Sequence, residues 1–150
     1  MRDSAKSTIV FASDHGGLNL RKALQKEAHS AGFVVEDCGV NSLEPVDYPE
    51  QVSIAIQNFL RLKAKYLVLI CGSGIGVSIA ANRHPELRAV VAANTTQARL
   101  SREHNHANCL CLGERLTGID LAKEIFYCFV NTKPDLSDRH CRRVAKLESI

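Results

Sequence analysis

The chain has 150 residues, a formal net charge of +3 at neutral pH and an aromatic content of only 5%. This length is typical of a single domain with a substantial core. Nucleic-acid-binding proteins usually carry strong basic patches or aromatic stacking platforms, so the composition argues against a nucleic-acid partner. A modest positive charge suits a small anionic substrate instead.

The cysteine pattern favours reduced thiols in a cytoplasmic protein. None of the cysteines forms a Cys-x-x-Cys pair, and most lie inside apolar runs. The six are Cys38, Cys71, Cys109, Cys111, Cys128 and Cys141. Residues 1–6 lead into a short strand rather than into the apolar core of a signal peptide. No apolar stretch approaches the roughly 20 residues that span a membrane, so we expect no membrane partner.

The first half of the chain alternates short apolar runs with amphipathic segments. Residues 8–12 are predicted to form a strand, and a helix with Leu20, Leu24 and Ala28 on its inner face ends near Gly32. Residues 33–37 form the second predicted strand, and a loop then runs from Gly39 to Pro49. The inner face of the next predicted helix comprises Val52, Ala55, Ile56, Phe59 and Leu60.

The second half continues the alternation. A strand at residues 66–70 precedes a glycine turn and a helix that ends before His84. A strand at 88–92 leads to a helix that Thr95 or Thr96 caps and that reaches about Glu103. A strand at 108–112 precedes a long helix capped by Thr117, and a short C-terminal helix starts at Asp138. The inner face of the long helix comprises Leu121, Ile125, Phe126 and Phe129.

Five strands alternating with helices predict a parallel sheet covered on both faces. The expected architecture is a three-layer αβα sandwich of Rossmann or flavodoxin-like type, with a C-terminal helical extension, in one domain spanning residues 1–150. Ligands of such sheets bind at the carboxyl ends of the strands, where the strand order reverses. In the order 2-1-3-4-5, strands one and three would be neighbours, and Asp14, His15 and Cys71 would share one crevice.

The segment Cys71-Gly72-Ser73-Gly74-Ile75-Gly76 directly follows the third strand. A strand, a glycine turn and a helix N-terminus together form an anion site built from backbone N–H groups. A cysteine beside such a site loses its proton more easily than a free thiol. The glycine spacing matches neither the dinucleotide fingerprint nor the P-loop, and the structural alternative is a tight turn beside a buried cysteine.

Two further polar clusters could carry chemistry. Asp14 and His15 stand on a turn opened by two glycines, where they could act as acid and base or simply cap a helix. His104 and His106 follow the fourth helix, but they lack the spacing of common zinc sites. No metal site is therefore predicted, and a histidine at a helix end has a structural alternative, since a cation favours that position.

Arg139 and Arg143 lie four residues apart on the predicted C-terminal helix and point the same way. Two guanidinium groups on one face suit a phosphate dianion, although a solvated basic face is the commoner arrangement.

The joint order of these motifs is more specific than any one of them. Asp-His-Gly-Gly follows strand one, Asp-Tyr-Pro lies in the second loop, and Cys-Gly-Ser-Gly-Ile-Gly follows strand three. Ser-Arg-x-His-Asn, Gly-x-Arg and Arg-His-x-x-Arg complete the order. From about Ile9 to Val144 the chain resembles the type B ribose-5-phosphate isomerase family, which includes the galactose-6-phosphate isomerase subunits.

The resemblance implies an enzyme of the pentose phosphate pathway that interconverts ribose 5-phosphate and ribulose 5-phosphate through a cis-enediolate. It implies neither a metal nor an organic cofactor. Cys71 would be the base, Ser73 would move a proton between sugar oxygens, and Asp14 and His104 would assist ring opening. The implied substrate-binding residues are His15, Tyr48, Gly72, Gly74, Ile75, Gly76, Asn105, Arg115, Arg139 and Arg143. Val77 stands about where another branch of the family carries a glutamate base, so this chain resembles the cysteine branch.

Family members are dimers or tetramers with shared active sites, so the resemblance implies a homodimer or homotetramer. In such an assembly His104 and the arginines need not reach Cys71 within one chain. Two alternatives stay open. One is an isomerase for a six-carbon sugar phosphate, such as allose 6-phosphate or galactose 6-phosphate. The other is a non-catalytic phosphate-binding module, which would need the glycine loop and the arginines but neither Cys71 nor His104.

Overall fold

The computed structural model describes residues 6–150, so most of the expected non-signal N-terminal segment lies outside the described residues. Its strands are β1 (Thr8–Ser13), β2 (Val34–Asp37), β3 (Tyr66–Cys71), β4 (Ala89–Val91) and β5 (Cys109–Gly113). Its helices are α1 (Leu18–Ser30), α2 (Tyr48–Arg61), α3 (Ile75–Ala81), α4 (Thr95–Asn105), α5 (Ile119–Asn131) and α6 (Asp138–Leu147). A short 3-10 turn at His15–Gly17 joins β1 to α1.

The five strands form one parallel sheet, as predicted, in the order β2-β1-β3-β5-β4. Strands β1 and β3 are neighbours, as expected, but the order 2-1-3-4-5 is wrong beyond them. All five residues of β5 are buried, whereas the three residues of β4 are only half-buried. The fully apolar strand therefore takes the inner position, and the short strand takes the edge, where one of its sides lacks a partner.

Helices cover both faces of the sheet, which confirms the three-layer architecture. Alternate residues of β1 point to opposite faces, so that Ile9 and Phe11 enter one core cluster while Val10 and Ala12 enter the other. The first cluster is completed by α1, α4 and α5, and the second by α2 and α3. Helix α6 is the expected C-terminal extension and packs against α4.

Several local details differ from the sequence-based expectations. Leu60 and Leu121 were expected on inner faces but are 44% and 39% exposed, because each lies at the margin of its helix's apolar stripe. Asn94 rather than a threonine caps α4, and its side chain accepts a 2.8 Å hydrogen bond from Gln97 N–H. Helix α5 has Gly118 at its N-cap in place of Thr117, which is buried.

The loop after β2 is slightly shorter than expected because α2 already begins at Tyr48. Pro49 therefore occupies the first turn of α2, where its missing N–H is not needed. Among residues 6–150, no helix combines the length and the apolar character that a membrane crossing demands.

Candidate active site

The turn after β1 carries the first polar cluster. Asp14 is 8% exposed, and its Oδ1 accepts a 2.9 Å hydrogen bond from Gly16 N–H. His15 Nδ1 accepts a 3.2 Å hydrogen bond from Val46 N–H, which belongs to the loop between β2 and α2. A methyl group placed on Gly16 would lie 3.3 Å from the backbone nitrogen of Gly72. The β1 turn and the glycine turn after β3 therefore lie side by side.

The glycine turn holds Cys71 at the carboxyl end of β3. The thiol is 5% exposed, and its Sγ accepts a 3.1 Å hydrogen bond from Gly74 N–H. The Ser73 hydroxyl accepts a 3.2 Å hydrogen bond from Ile75 N–H. Gly74 has φ = 78°, a left-handed conformation that a residue with a side chain rarely adopts. This conformation turns the chain sharply from the strand into α3.

Four N–H groups of this turn are open. Within residues 6–150, they have no hydrogen-bond acceptor and belong to Gly72, Ser73, Gly76 and Val77. Such groups at the start of a helix normally bind water, a side chain or a ligand. The turn therefore presents a set of donors next to the Cys71 sulfur, which is the arrangement that stabilises negative charge on a bound oxygen.

Two further predicted site residues border the same turn. The guanidinium of Arg115 lies against Gly72, where an added methyl group would be 3.3 Å from its Cζ. Arg115 is held there by its own N–H, which donates a 3.1 Å hydrogen bond to the Gly72 carbonyl. The ring of Tyr48 lies over Gly76, where an added methyl group would be 2.6 Å from the ring. One chain thus brings together side chains from the β1 turn, α2, the β3 turn and the segment after β5.

The remaining predicted residues lie elsewhere in the chain. Helix α4 runs from the carboxyl end of β4 to the amino end of β5. Eleven residues of helix span about 16 Å. His104 and Asn105 therefore lie near the amino ends of the strands, whereas Cys71 lies at the carboxyl end of β3. This geometry agrees with the expectation that His104 need not reach Cys71 within one chain. Within a single chain, they do not face the Cys71 turn.

A second cluster forms around His104. The His104 ring stacks on the ring of His140 at 4.5 Å between centroids and at an interplanar angle of 5°. His140 Nε2 lies 3.2 Å from Arg139 Nη2 and 3.5 Å from Asp135 Oδ2. Burial is the main cause that lowers the pKa of His140, and the nearby His104 and Arg139 add to it. Neutral imidazole is therefore favoured at this position.

His140 and Asp135 received no role from the sequence analysis. His140 stood unassigned inside the Arg-His-x-x-Arg motif, and its burial depends on packing against α4. Asp135 lies in the polar segment before α6, where its Oδ1 accepts a 2.8 Å hydrogen bond from Ser137 N–H. This Asp-x-Ser turn can be recognised from the local sequence. In the structure the turn lies beside His106, whose Nε2 is 2.8 Å from the Asp135 carbonyl oxygen, and no local signal indicates that contact.

The other core cysteines differ from Cys71 in their surroundings. Cys109 and Cys111 lie on the same face of β5, with their sulfur atoms 3.9 Å apart and no exposed surface. Burial raises the pKa of the Cys111 thiol well above its ordinary value. These two thiols are therefore core residues, and Cys71 is the thiol that meets backbone donors at a strand end.

Two clefts open near the predicted residues. A cleft of about 350 Å³ lies between α2 and α3 and reaches Tyr48 and Gly76. A larger cleft of about 660 Å³ lies along the β4 edge and includes Asn105 together with the C-terminal residues. The larger cleft is not at the Cys71 turn, so size alone does not identify the reactive centre.

The comparisons with known proteins agree with the fold and with the order of motifs. The sequence model of the ribose/galactose isomerase family matches residues 9–147. The chain is 37% identical over 145 residues to ribose-5-phosphate isomerase B of Escherichia coli, covering 95% of each chain. It is 38% identical over 120 residues to D-erythrulose-4-phosphate isomerase 2 of Mycolicibacterium smegmatis, covering 78% of this chain and 79% of the relative.

Among solved structures, ribose-5-phosphate isomerase B of Clostridium thermocellum superposes with a TM-score of 0.90 at 39% sequence identity, covering 95% of each chain. The family match over nearly the whole chain, together with these relatives, shows that this protein belongs to the ribose/galactose isomerase family.

Proposed function

We propose that this chain is an aldose–ketose isomerase that interconverts ribose 5-phosphate and ribulose 5-phosphate, with Cys71 as the base. The observation that carries the proposal is the Cys71 sulfur at 3.1 Å from Gly74 N–H, beside four open N–H groups of the same turn. Proton abstraction next to a carbonyl needs a base and a means to hold the resulting oxyanion. The turn offers both. The activity of the Escherichia coli and Clostridium thermocellum relatives, as their names state it, supports the same reaction.

In the proposed reaction, the Cys71 thiolate removes the proton from C2 of the open-chain aldose. The C2–H electron pair forms the C1–C2 double bond of a cis-enediolate, and the carbonyl oxygen on C1 takes up the negative charge. The Ser73 hydroxyl assists transfer of a proton from the oxygen on C2 to the oxygen on C1. Cys71 then returns its proton to C1, which gives the ketose and regenerates the thiolate.

The open N–H groups are proposed to hold the enediolate oxygens. A preorganised donor of this kind contributes roughly 3–4 kcal/mol to the stability of the transition state in comparable oxyanion holes. Gly74 N–H serves the sulfur, and an N–H donor at that distance stabilises negative charge on sulfur. The same short turn therefore serves both the base and the intermediate, which fits a reaction that needs no metal or organic cofactor.

The phosphate is proposed to bind beside the glycine turn. His15 and Arg115 border the turn within one chain, and Arg115 is exposed and free to meet a dianion. Arg139 and Arg143 lie on α6 and would approach the phosphate from another direction. Asp14 would assist ring opening, and Tyr48 would line the crevice wall.

We further propose a homodimer or homotetramer in which His104, Asn105 and the α6 arginines of one chain complete the site of another. The support is geometric, since a helix about 16 Å long separates His104 from the carboxyl ends of the strands, where Cys71 lies. His104 and Asn105 are exposed, so they are available to a neighbouring copy. In such an assembly His104 would assist ring opening for the substrate held at the partner's Cys71.

The direct test of the function is an assay of the purified protein against sugar phosphates of four, five and six carbons. Turnover of ribose 5-phosphate with the highest kcat/KM would support the proposal. The four-carbon substrate is included because the Mycolicibacterium smegmatis relative is named for one. A preference for allose 6-phosphate or galactose 6-phosphate would favour the six-carbon alternative. Tight phosphate-ester binding without any turnover would favour a non-catalytic module.

Mixing two inactive variants tests the shared site. Cys71→Ala and His104→Ala subunits should regenerate activity when they are refolded together, because one of the two sites in a symmetric heterodimer carries neither substitution. We expect up to about half of the wild-type activity in the isolated hybrid. A hybrid as inactive as its parents, with subunit exchange confirmed by mass spectrometry, would mean that both residues serve one site from the same chain.

A further inference from the structure

Arg21 is the largest fully buried side chain among the described residues, and the sequence analysis gave it no role. It lies in the second turn of α1, yet its guanidinium is completely enclosed rather than solvated. Its Nη1 donates a 2.5 Å hydrogen bond to the Ser13 hydroxyl. Its Nη2 donates 2.6 Å and 3.1 Å hydrogen bonds to the Val40 carbonyl and the Asn41 side-chain oxygen.

The backbone of the following loop is shaped around this guanidinium. Asp37 Oδ1 lies 3.1 Å from Arg21 Nε and forms an ion pair, although the Nε–H group does not point at the carboxylate. The same Oδ1 accepts a 2.9 Å hydrogen bond from Gly39 N–H. A methyl group on Gly39 would lie 1.9 Å from Arg21 Nη1, so a side chain at this position would displace the guanidinium from its partners. Burial lowers the pKa of Arg21, and Asp37 opposes that change.

These contacts join two segments that both border the Cys71 crevice. Ser13 is the residue before Asp14, so one partner of Arg21 lies at the end of the strand that carries the first polar cluster. The other partners lie at the end of β2 and at the start of the segment 38–47, which we name the crevice loop. That loop continues to Val46, whose N–H group donates to His15 Nδ1. It then enters α2 at Tyr48, whose ring lies over Gly76.

We propose that Arg21 is a positioning residue for the substrate site. Its guanidinium fixes the crevice loop against β1, so that Val46 orients the His15 imidazole and Tyr48 closes one side of the crevice. A buried charge is costly unless its partners are well placed, and here the partners are the end of β1 and the loop that carries Val46 towards His15. This inference rests on the proposed function, because it assigns Arg21 to substrate binding rather than to the proton transfer at Cys71.

The key variant is Arg21→Lys, which keeps the positive charge but cannot bond Ser13 and the two loop oxygens at once. We expect the KM for ribose 5-phosphate to rise about tenfold or more while kcat stays within about threefold, since the loop acts on binding in both ground and transition states. The matched control is Phe129→Leu, which removes packing against Tyr66 at the amino end of β3, away from the crevice. The control should lower the melting temperature and leave KM within about twofold of wild type.

A spectroscopic readout separates positioning from general destabilisation. The 15N resonance of His15 Nδ1 reports its hydrogen bond from Val46, so it should shift in Arg21→Lys and stay unchanged in Phe129→Leu. The affinity for inorganic phosphate, titrated on the same resonance, should fall in parallel. An unchanged His15 resonance and an unchanged KM in folded Arg21→Lys would overturn the inference. If the wild-type protein isomerises no sugar phosphate, the proposed function falls and the His15 resonance alone decides the role of Arg21.

Discussion

Replacing Cys71 by alanine tests the base most directly. The substitution removes the sulfur that accepts the hydrogen bond from Gly74 N–H and leaves the open donors of the turn in place. A general base contributes about 10²–10⁴-fold to the rate of a proton transfer, so kcat should fall by at least about a hundredfold. Substrate binding should change little, because the proposed phosphate and hydroxyl contacts come from other residues.

The cost to stability can be worked from the same contacts. Loss of one hydrogen-bond acceptor for a buried N–H group costs about 1–2 kcal/mol, and the space left by the small sulfur adds only a little. In a domain of this size each kcal/mol lowers the melting temperature by about 2–4 °C. We therefore expect Cys71→Ala to melt about 2–8 °C below wild type, well folded at assay temperature.

The measurement is ribose 5-phosphate turnover beside a thermal melt. Cys71→Ser keeps an oxygen that can accept from Gly74 N–H, so it should recover stability without recovering turnover. Cys109→Ala is the matched control, since Cys109 is a fully buried thiol of the same core cluster that meets no open donors. It should lose stability and keep its kcat. Turnover of Cys71→Ala within about tenfold of wild type would refute the assignment of the base.

Three further predictions concern the effect of chelators, the two arginines of α6 and the pH dependence of stability at His140. Chelators should leave activity unchanged, because the enediolate is proposed to be held by N–H donors, and activity that is lost with EDTA and restored by a divalent ion would contradict this. Arg139→Ala and Arg143→Ala should mainly raise KM in steady-state kinetics, because phosphate is held in ground and transition states alike; wild-type kinetics in both variants would remove α6 from the phosphate site. Because burial lowers the pKa of His140 in the folded protein, its contribution to stability is present above the ordinary histidine pKa of about 6.5 and is lost as the pH falls below it. Thermal melts between pH 8 and pH 5 should therefore fall less steeply for His140→Gln than for wild type, and equal slopes would disprove the link.

The strands and helices could be predicted because their signals are local. Apolar runs in β3 and β5 and the inner stripe of α1 are visible in short windows of sequence. The strand order was not visible in this way, because it depends on which runs can be buried on both sides. β5 is fully buried, whereas β4 is short and half-buried. The two strands differ only in the degree of burial, and this difference is seen only when the positions of all five strands in the sheet are known.

The candidate site shows the same division between local and distant signals. Cys71 and its donors lie within residues 71–77, so the turn could be found from sequence alone. Arg21 looks like an ordinary surface residue of an amphipathic helix, and its role depends on Val40 and Asn41 about twenty positions away. The place of His104 could not be derived from its motif alone, because a motif does not show to which end of the strands a helix of eleven residues carries its last turn.

Three exposed apolar side chains connect the Cys71 turn with the proposed assembly. Ile75 and Ile79 lie four residues apart on α3, so they share one face of the helix, and they are 54% and 61% exposed. Leu116, next to Arg115, is 72% exposed. A monomer gains nothing from apolar side chains around a polar crevice, whereas a second copy that supplies His104 would also cover them. The proposed sharing of the site would then exclude water from the enediolate, since the chain that brings His104 for ring opening also closes the crevice.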